Sequence, residues 1–351
     1  MSTLKSNGYS IIIGGEIFKS ISSFLKKNKY SSYFILCDEN TLQYCLPQLI
    51  TSCPLLSSAE IIELESGESS KSIEFSTHIW QTFIENKADK RSLLINLGGG
   101  VVSDIGGFTA SVYKRGIDFI NIPTSLLAMA DASVGGKTGI DFNGIKNSLG
   151  TFAQPKAVFI HPPFLFTLSE RHFQNGLGEI YKIALISDKK FWNSLKEGCK
   201  TEVLIKKSVE LKNRIVLKDP FDKGIRNTLN FGHTLGHAIE SLFIGTEEEL
   251  LHGEAIVAGM IMESHISLQK KMLSKIEFTE LVNILSSSFN HKKVHKLHFN
   301  AVLELIKNDK KALNTKLRFS LLSKIGVCKL NVEVNADQVK KAMEYYNTLI
   351  K

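Results

Sequence analysis

Short apolar runs alternate with amphipathic stretches over residues 1–161. The runs are rich in β-branched and aromatic residues and end in glycine or polar residues, as strands do, whereas the stretches between them repeat apolar residues at helical spacing. Strands separated by helices of this length predict a parallel sheet with helices on both faces, a Rossmann-like α/β domain. The predicted strands are 10–13, 33–37, 59–64, 92–97 and 118–122, and the predicted helices are 16–27, one opening at 38–40, 71–85 and one from about 102.

The pattern changes near Pro162 and Pro163, beyond which long amphipathic runs follow one another. This second part is predicted to be mostly α-helical, with one β-rich interruption at 317–322. We therefore expect two domains, 1–161 and 162–351, because a chain of this length exceeds the usual single core. The helical runs are 171–187, 201–218, 222–243, 253–272, 276–288 and 335–350.

Composition is that of an ordinary globular protein, with 43% hydrophobic and 22% charged residues. The net charge of +8 comes from scattered lysines with no long basic run, so we expect no nucleic-acid partner. The five cysteines form no CxxC pair, and no apolar run is long enough to span a bilayer. We expect a cytoplasmic protein without a membrane partner.

The candidate chemistry centres on RNTLNFGHTLGHAIE, where His233 and His237 lie four residues apart. On a helix they share one face, and His252 and Glu254 follow at the predicted start of the next helix. Neutral imidazole and carboxylate are both zinc ligands, and a catalytic zinc needs three protein ligands and an open position. The alternative is that each histidine is a helix-surface or capping residue.

A glycine-rich turn follows the predicted strand at 92–97. Gly98, Gly99 and Gly100 precede a helix, so backbone N–H groups at its N-terminus could bind a phosphate. The turn lacks the full dinucleotide fingerprint, and such glycines also serve turns without a ligand. Asp38 at a strand end is either a ribose acceptor or a helix cap. Together these features favour a dinucleotide site.

Two further clusters indicate a site for an anion. Lys137 and Lys146 lie in a stretch rich in glycine, serine and asparagine, where the backbone can approach a ligand closely. Glu179 and Lys182 are one helical turn apart and could face one cleft. Solvated lysines are common, so either loop lysine alone carries little weight. Asp131, Asn147, Lys212, Arg226 and Asn230 add polar groups to the same predicted site.

The chain resembles the 3-dehydroquinate synthase family of the sugar-phosphate cyclase superfamily over nearly its whole length. The motifs that carry the resemblance are GGGVVSDIGGF, YKRGIDFINIPTSLLAMADASVGGKTGID, IKNSLGTF, NGLGEIYK, RNTLNFGHTLGHAIE and LHGEAIVAGM. The resemblance implies an NAD-binding α/β domain, a helical domain and an active site in the cleft between them. It also implies conversion of 3-deoxy-D-arabino-heptulosonate 7-phosphate into 3-dehydroquinate and phosphate, in the shikimate pathway.

The resemblance further implies a role for individual residues. One divalent metal, zinc or cobalt, would be held by Glu179, His233 and His252. NAD would contact Asp38, Asn40, Glu68, Lys71, Gly99, Gly100, Val101, Asp104, Thr124, Ser125, Lys137, Lys146, Thr167 and Asn175. The phosphorylated sugar-acid substrate would meet Asp131, Lys137, Lys146, Asn147, Lys182, Lys212, Arg226, Asn230, His237 and Lys310, chosen over Lys311. Arg115 would reach across the interface of a homodimer to the partner's site.

The sequence departs from the family pattern at two positions. Ser103 replaces a usual glycine, and Asp222 stands where a glutamate is expected, which puts a proton-transfer role for that carboxylate in doubt. Three other functions remain open at this point. They are a cyclase for aminocyclitol precursors, a metal-dependent polyol dehydrogenase of the glycerol dehydrogenase type, and a binding module without catalysis.

Overall fold

The computed structural model describes residues 1–143, 145–289, 291–294, 298–309 and 317–350. The chain divides into two compact units. The first unit comprises Met1–Ser169 and Thr201–Phe221, and the second comprises Glu170–Lys200 and the described part of Asp222–Lys351. The chain thus enters the second unit, returns to the first for one helix and leaves it again. The functional domains 1–161 and 162–351 expected from sequence stay a prediction.

The first unit is built on a seven-stranded sheet with the strand order β1-β2-β9-β6-β5-β3-β4. Strand β1 is antiparallel to β2, and the other pairings are parallel. The predicted parallel sheet is therefore confirmed, and its five predicted strands correspond to β2 to β6. The strands are β1 (Ser2–Lys5), β2 (Ser10–Ile13), β3 (Tyr33–Asp38), β4 (Glu60–Leu64), β5 (Leu93–Gly98), β6 (Asp118–Pro123) and β9 (Ala157–Ile160).

Several helices of the first unit pack against this sheet. All six residues of β5 are buried, as expected for an inner strand of a parallel sheet covered on both faces. Part of the core is formed by Phe34, Leu36, Phe83, Leu94 and Ile105. The helices of the first unit are α1 (Ile17–Asn28), α2 (Glu39–Tyr44), α3 (Leu46–Ser52), α4 (Ile73–Glu85), α5 (Gly100–Val112) and α8 (Thr201–Lys218).

A two-stranded antiparallel ribbon, β7 (Lys137–Phe142) and β8 (Ile145–Phe152), lies outside the main sheet. The sequence pattern did not predict these strands, because their few apolar residues are interspersed with polar residues and glycine, and most of β8 is exposed. In the ribbon, Gly139 and Gly150 approach so closely that a Cβ on Gly139 would lie 2.7 Å from the Leu149 carbonyl oxygen. The ribbon therefore depends on small residues where the sequence suggested a loop.

The second unit is mostly helical, which confirms the predicted class of this part of the chain. One predicted helix, 222–243, was wrong in extent. Residues Ile225–Asn230 form a 3-10 helix, and Gly232 at φ 80° separates it from the α-helix that begins at His233. The elements are α6 (Glu170–Ser187), α7 (Lys189–Glu197), α9 (His233–Phe243), α10 (His252–Gln269), α11 (Lys275–Ser288), α12 (Phe299–Asp309), β10 (Leu317–Lys324), β11 (Val327–Val334) and α13 (Ala336–Thr348).

Among the residues that the structure describes, no helix combines the length and apolar character needed to cross a membrane.

Candidate active site

Three helices of the second unit bring a carboxylate and three imidazoles together. Glu179 comes from α6, His233 and His237 from α9, and His252 from α10. One nitrogen of each histidine lies within 4.8 Å of the others, and the rings of His233 and His237 have centroids 5.0 Å apart. The two histidines of the HTLGH motif thus face the same point, and the histidine that begins the next helix joins them.

Glu179 sits closest to the centre of this group. Its Oε1 lies 3.4 Å from Nε2 of His233 and 3.4 Å from Nε2 of His252. Ligand atoms about 2.0–2.1 Å from a tetrahedral zinc are about 3.3 Å from one another. The separations therefore fit a cation bound by one carboxylate oxygen and two imidazole nitrogens, which is a donor set suited to zinc. The ring of His237, further along α9, would lie beside such an ion.

Both candidate imidazole ligands are oriented through their other nitrogen. Nδ1 of His233 is 3.2 Å from the carbonyl oxygen of Phe231, which directs Nε2 of that ring toward Glu179. Nδ1 of His252 is 3.6 Å from a carboxylate oxygen of the buried Glu240. A hydrogen bond like that of His233 fixes the tautomer and the ring orientation of a metal-binding histidine. The Glu240 carboxylate lies close enough to His252 to act on it electrostatically.

The electrostatics of the centre differ between the two histidines. Burial lowers the pKa of His233 well below its ordinary value, and the charge of Lys182 lowers it further. Burial alone would also lower the pKa of His252, but its contacts with Glu179 and Glu240 outweigh burial and raise it. His233 is therefore neutral at pH 7 and ready to offer a lone pair.

Lys182 is the cation next to this centre. Its ammonium contacts the carboxylate of Glu179 one helical turn away, and both side chains are almost fully buried. Burial alone would raise the pKa of Glu179, but Lys182 and His252 lower it below its ordinary range. Glu179 is thus held as an anion. The predicted pairing of a carboxylate and a lysine on one helix face is present in the structure.

The predicted dinucleotide residues of the first unit follow the carboxyl ends of adjacent parallel strands. Asp38 ends β3, the Glu68 turn follows β4, Gly99 follows β5, and Thr124 follows β6. Ligands of open α/β sheets bind at this edge. Helix α5 begins at Gly100, and Gly99 before it supplies no side-chain cap, so the first-turn N–H groups face outward from the helix end. An anionic cofactor fits this arrangement.

Asp38 acts at least as a helix cap. Its Oδ1 accepts hydrogen bonds from the backbone N–H of Thr41 at 2.9 Å and from the Thr41 hydroxyl at 3.1 Å. The two functions left open by the sequence are compatible, because a carboxylate has a second oxygen. Asn40 lies in the helix that Asp38 caps and donates to the Ser66 hydroxyl at 2.8 Å.

Lys71 joins three segments of the first unit. Its ammonium is 2.7 Å from Asp104 Oδ2, 2.5 Å from Asn147 Oδ1 and 3.8 Å from Glu68 Oε1, although the residue is 4% exposed. Burial alone would lower the pKa of Lys71, but Asp104 and Glu68 raise it. Residues predicted to bind cofactor are therefore in direct contact with Asn147, a residue predicted to bind substrate.

A second ion pair of the first unit joins Lys212 of α8 to Asp131. The Lys212 ammonium is 2.9 Å from Asp131 Oδ1 and 2.7 Å from its backbone oxygen. Burial raises the pKa of Asp104, and the charges of Lys71 and Lys212 act against that rise. Both lysines thus act electrostatically on one carboxylate. Lys137 begins β7 and Lys146 lies on β8.

The other predicted residues are described by their elements and hydrogen bonds, and two of them fall outside the described residues. Val101 is in the first turn of α5, Ser125 follows Thr124, and Thr167 ends the 3-10 helix Pro162–Thr167.

In the second unit, Asn175 accepts a hydrogen bond from the Gly253 N–H, Arg226 is buried, and Asn230 donates to Asn227 Oδ1. Asp222 adopts φ 57°, and Arg115 is exposed at φ 63°. Lys310 and Lys311 lie outside the described residues.

Sequence reasoning missed two buried glutamates near the histidines. Glu240 contacts His252, and Glu263 accepts hydrogen bonds from the backbone at the start of α9. Each is an isolated carboxylate in an otherwise apolar stretch, HAIES and GMIMES. Glutamate is almost never fully buried unless it is paired, so a lone glutamate in such a stretch is the signal that would have found them.

Solved structures share this architecture over the whole chain. One is 2-epi-5-epi-valiolone synthase from Streptomyces hygroscopicus subsp. jinggangensis, described with NAD⁺ and Zn²⁺ bound. It has a TM-score of 0.86 and 23% identity, covering 99% of each chain.

A second solved structure is a 2-deoxy-scyllo-inosose synthase complexed with carbaglucose-6-phosphate, NAD⁺ and Co²⁺. It has a TM-score of 0.85 and 21% identity, covering 98% of this chain and 100% of the other. These likenesses establish the fold. Together the fold and the centre define a class of protein in which a parallel α/β sheet is followed by a helical unit that carries histidine and carboxylate groups.

The family follows from the sequence comparisons. Family models described as 3-dehydroquinate synthase N-terminal and C-terminal match residues 61–175 and 176–312. The 3-dehydroquinate synthase of Parabacteroides distasonis is 36% identical over 343 residues, which cover 96% of this chain and 97% of the relative. That of Clostridium botulinum is 39% identical over 333 residues, covering 92% of this chain and 94% of the relative. The chain belongs to the 3-dehydroquinate synthase family.

Proposed function

We propose that the chain is an enzyme that converts 3-deoxy-D-arabino-heptulosonate 7-phosphate into 3-dehydroquinate and phosphate. The observation that carries this proposal is the centre of Glu179, His233 and His252 with Lys182 beside it, in a chain of this family. The reaction needs a site for adjacent hydroxyl groups, a cofactor that takes and returns a hydride, and cations for a phosphate and a carboxylate. The chain supplies residues of a suitable type for each.

Glu179, His233 and His252 would hold one divalent metal ion, zinc or cobalt. When bound, such an ion acts as a Lewis acid toward substrate hydroxyl groups. Lys182 and Glu179 fix each other's position through their buried contact, and Glu240 keeps the ring of His252 oriented. His237 is placed beside this centre by helical spacing, where it would contact substrate and carry a proton. His237 is thus assigned a different role from His233, although the two rings are neighbours.

NAD would lie along the carboxyl edge of the sheet in the first unit. When bound, NAD accepts a hydride from the substrate and returns it later in the same turnover. Asp38 and Asn40 would meet the ribose, and the first turn of α5 would meet the phosphates. Lys71 and Asp104 would hold the neighbouring segments in place through their 2.7 Å ion pair. We retain 1–161 as the proposed NAD-binding domain and 162–351 as the metal- and substrate-binding domain.

Positive side chains would bind the two acidic ends of the substrate. Lys137, Lys146 and Asn147 would surround the phosphate, stabilising it both when bound and as a leaving group. Lys212 and Arg226 would suit the carboxylate, for which a guanidinium offers a bidentate fork. Because Lys212 and Arg226 suit a carboxylate, we favour the heptulosonate phosphate as substrate over aminocyclitol precursors. The relatives at 36% and 39% identity favour a 3-dehydroquinate synthase over a polyol dehydrogenase.

Phosphate release from the heptulosonate phosphate by purified protein tests this function. With NAD and zinc or cobalt present we expect release of one phosphate per substrate, and removal of the metal by a chelator should stop it. Readdition of the metal should restore it, which separates loss of metal from denaturation. Metal-loaded protein that binds NAD but releases no phosphate would refute the proposed reaction.

We further propose a cytoplasmic homodimer in which Arg115 completes the partner's site. Arg115 is exposed and lies between Lys114 at φ 49° and Gly116 at φ 107°, a turn whose backbone is unusual for non-glycine residues. Such a turn holds an arginine at a defined point on the surface. The five cysteines are unbridged, which suits a reducing compartment.

Subunit mixing tests the role of Arg115. Arg115→Ala and Lys137→Ala chains should each be inactive alone. Mixed dimers should regain part of the activity, because one of their two sites has both residues. If the chains exchange, as followed with differently tagged subunits, and no activity returns, Arg115 acts within its own chain or not at all.

A further inference from the structure

Glu263 holds the start of the helix that presents His233. It lies on α10, is 0% exposed, and directs both carboxylate oxygens at the backbone of α9. One oxygen accepts from the Gly232 N–H at 2.7 Å, and the other accepts from the Leu235 N–H at 3.1 Å. The two backbone donors lie before and after His233 in the chain. The carboxylate therefore fixes the backbone on both sides of the residue that carries the imidazole.

The start of α9 has no side-chain cap from its own N-cap residue. Gly232 adopts φ 80° and supplies no side-chain cap, so α9 has no cap of the usual kind from its own N-cap residue. The first N–H groups of a helix need partners when they are buried, and a carboxylate there also interacts favourably with the helix dipole. Glu263 provides both from a neighbouring helix.

Close packing between α10 and the start of α9 restricts how the two helices can be placed relative to each other. Gly259, one turn before Glu263 on α10, meets the Gly232 carbonyl so closely that a Cβ at position 259 would overlap it. The same helix α10 begins with His252. Glu263 therefore fixes the start of α9 relative to the helix that supplies the second imidazole. It thus bears on the spacing between the two nitrogens and Glu179.

We propose that Glu263 is a positioning residue of the metal centre, which sets the affinity for the divalent ion through the backbone of His233. In this role it acts through the backbone N–H groups of Gly232 and Leu235 and is not itself a metal ligand. This inference rests on the proposed metal role of Glu179, His233 and His252. Its distinctive consequence is that loss of the carboxylate weakens metal binding in protein that is still folded, whereas a cap that only stabilises the fold would leave the affinity of folded protein unchanged.

The test measures zinc and cobalt affinity of the metal-free full chain by competition with a chromophoric chelator. Glu263→Gln is nearly isosteric and keeps one acceptor oxygen, so we expect it to fold and its dissociation constant to rise about 10- to 100-fold, as for other partners of metal ligands. The matched control is Glu280→Gln, which removes a carboxylate of the same unit that bonds Trp192 and Lys196. Its dissociation constant should equal that of the wild type.

A folded Glu263→Gln protein with wild-type metal affinity would overturn the inference, even if its unfolding temperature falls. Should Glu263→Gln not fold, Glu263→Asp is measured instead, because it keeps both oxygens on a shorter side chain and is judged by the same criterion. The proposed function fails separately. Metal binding that depends on Glu263 without phosphate release would refute the reaction and leave the inference standing.

Discussion

Asn175 Oδ1 accepts a hydrogen bond from the Gly253 N–H at 2.5 Å, which joins α6 to the first turn of α10. Asn175 lies one turn before Glu179, and Gly253 directly follows His252. The elements that carry the carboxylate and one imidazole of the centre are therefore joined by a hydrogen bond from a backbone N–H to a side chain, and neither Glu179 nor His252 takes part in it. Sequence reasoning assigned Asn175 to the cofactor, and that role stays a proposal beside this structural one.

A methyl group at Gly178 should disturb this junction. Its Cβ would lie 2.8 Å from the Gly253 carbonyl oxygen and 3.1 Å from the Gly253 Cα, and backbone atoms cannot move aside cheaply. We expect Gly178→Ala to lower the free energy of unfolding by about 1–3 kcal/mol, as overpacked positions do. Denaturant unfolding measures the change. Gly15→Ala is the control, since a Cβ there would meet nothing within 4 Å, and equal stability of the two variants would contradict the expectation.

The two neighbouring histidines of α9 should respond differently to substitution. His233→Ala removes a nitrogen 3.4 Å from Glu179 Oε1, so we expect the purified variant to lose its metal and nearly all activity while remaining folded. His237→Ala should keep the metal and lose turnover. Elemental analysis of both proteins, with circular dichroism as the check on folding, measures this. Equal loss of metal from both would mean that the ligands of the centre are wrongly assigned.

The nicotinamide should return to its oxidised form in every turnover. The hydride taken from the substrate is given back before product leaves, so we expect no net NADH while 3-dehydroquinate accumulates. Absorbance of reduced nicotinamide, followed together with phosphate release, measures the balance. NADH that grows in step with product would indicate a dehydrogenase.

A buried histidine away from the centre should make the protein sensitive to acid. His161 is 3% exposed and packs edge-on against Phe18 and Phe164, with ring centroids 4.8 Å away in both cases. Burial lowers the pKa of His161. Below pH about 6.5 the unfolded chain therefore binds a proton that the folded chain does not, and stability falls as pH decreases. The loss is at most about 1.4 kcal/mol per pH unit and ends at the folded pKa.

His161→Phe should remove this contribution to the pH dependence. Urea unfolding at pH 7.5 and at pH 5 should show a smaller loss of stability for the variant than for the wild type. His78→Phe, at an exposed position of α4, controls for the loss of an imidazole as such. The interpretation fails if His161→Phe loses as much stability between the two pH values as the wild type does.

The sequence was most informative where one local pattern decides the structure. The runs at 10–13 and 33–37 end in Gly14 and Asp38, and each became a strand of the sheet because apolar residues bounded by turn residues suit a buried strand. The ribbon of β7 and β8 was not found, because most of β8 is exposed and the few apolar residues of the two strands form no sustained alternating pattern. Its stability comes from close backbone approach, which composition does not reveal.

Contacts between residues far apart in the chain determine the features that the sequence pattern could not predict. The helix Thr201–Lys218 was predicted with its observed bounds, yet its place in the first unit depends on contacts such as that of Lys212 with Asp131. The imidazole pair was expected from helical spacing. The roles of Glu240 and Glu263 were not expected. Each contacts residues of another helix or turn, and no sequence spacing predicts such a contact.

The chain leaves the first unit at residue 169 and returns to it for residues 201–221, which affects the order in which the unit is completed during synthesis. Helix α8 anchors to the first unit through Lys212 and through Asn213, which donates to the Lys5 backbone oxygen at 2.7 Å. Residues 170–200, which contain α6 and α7, leave the ribosome before it. A nascent chain that stops at residue 169 therefore has every strand of the sheet but lacks the helix that binds its amino-terminal edge. The first unit can therefore reach its final structure during translation only after residue 221 has emerged, by which time Glu179 and the rest of α6 have already left the ribosome.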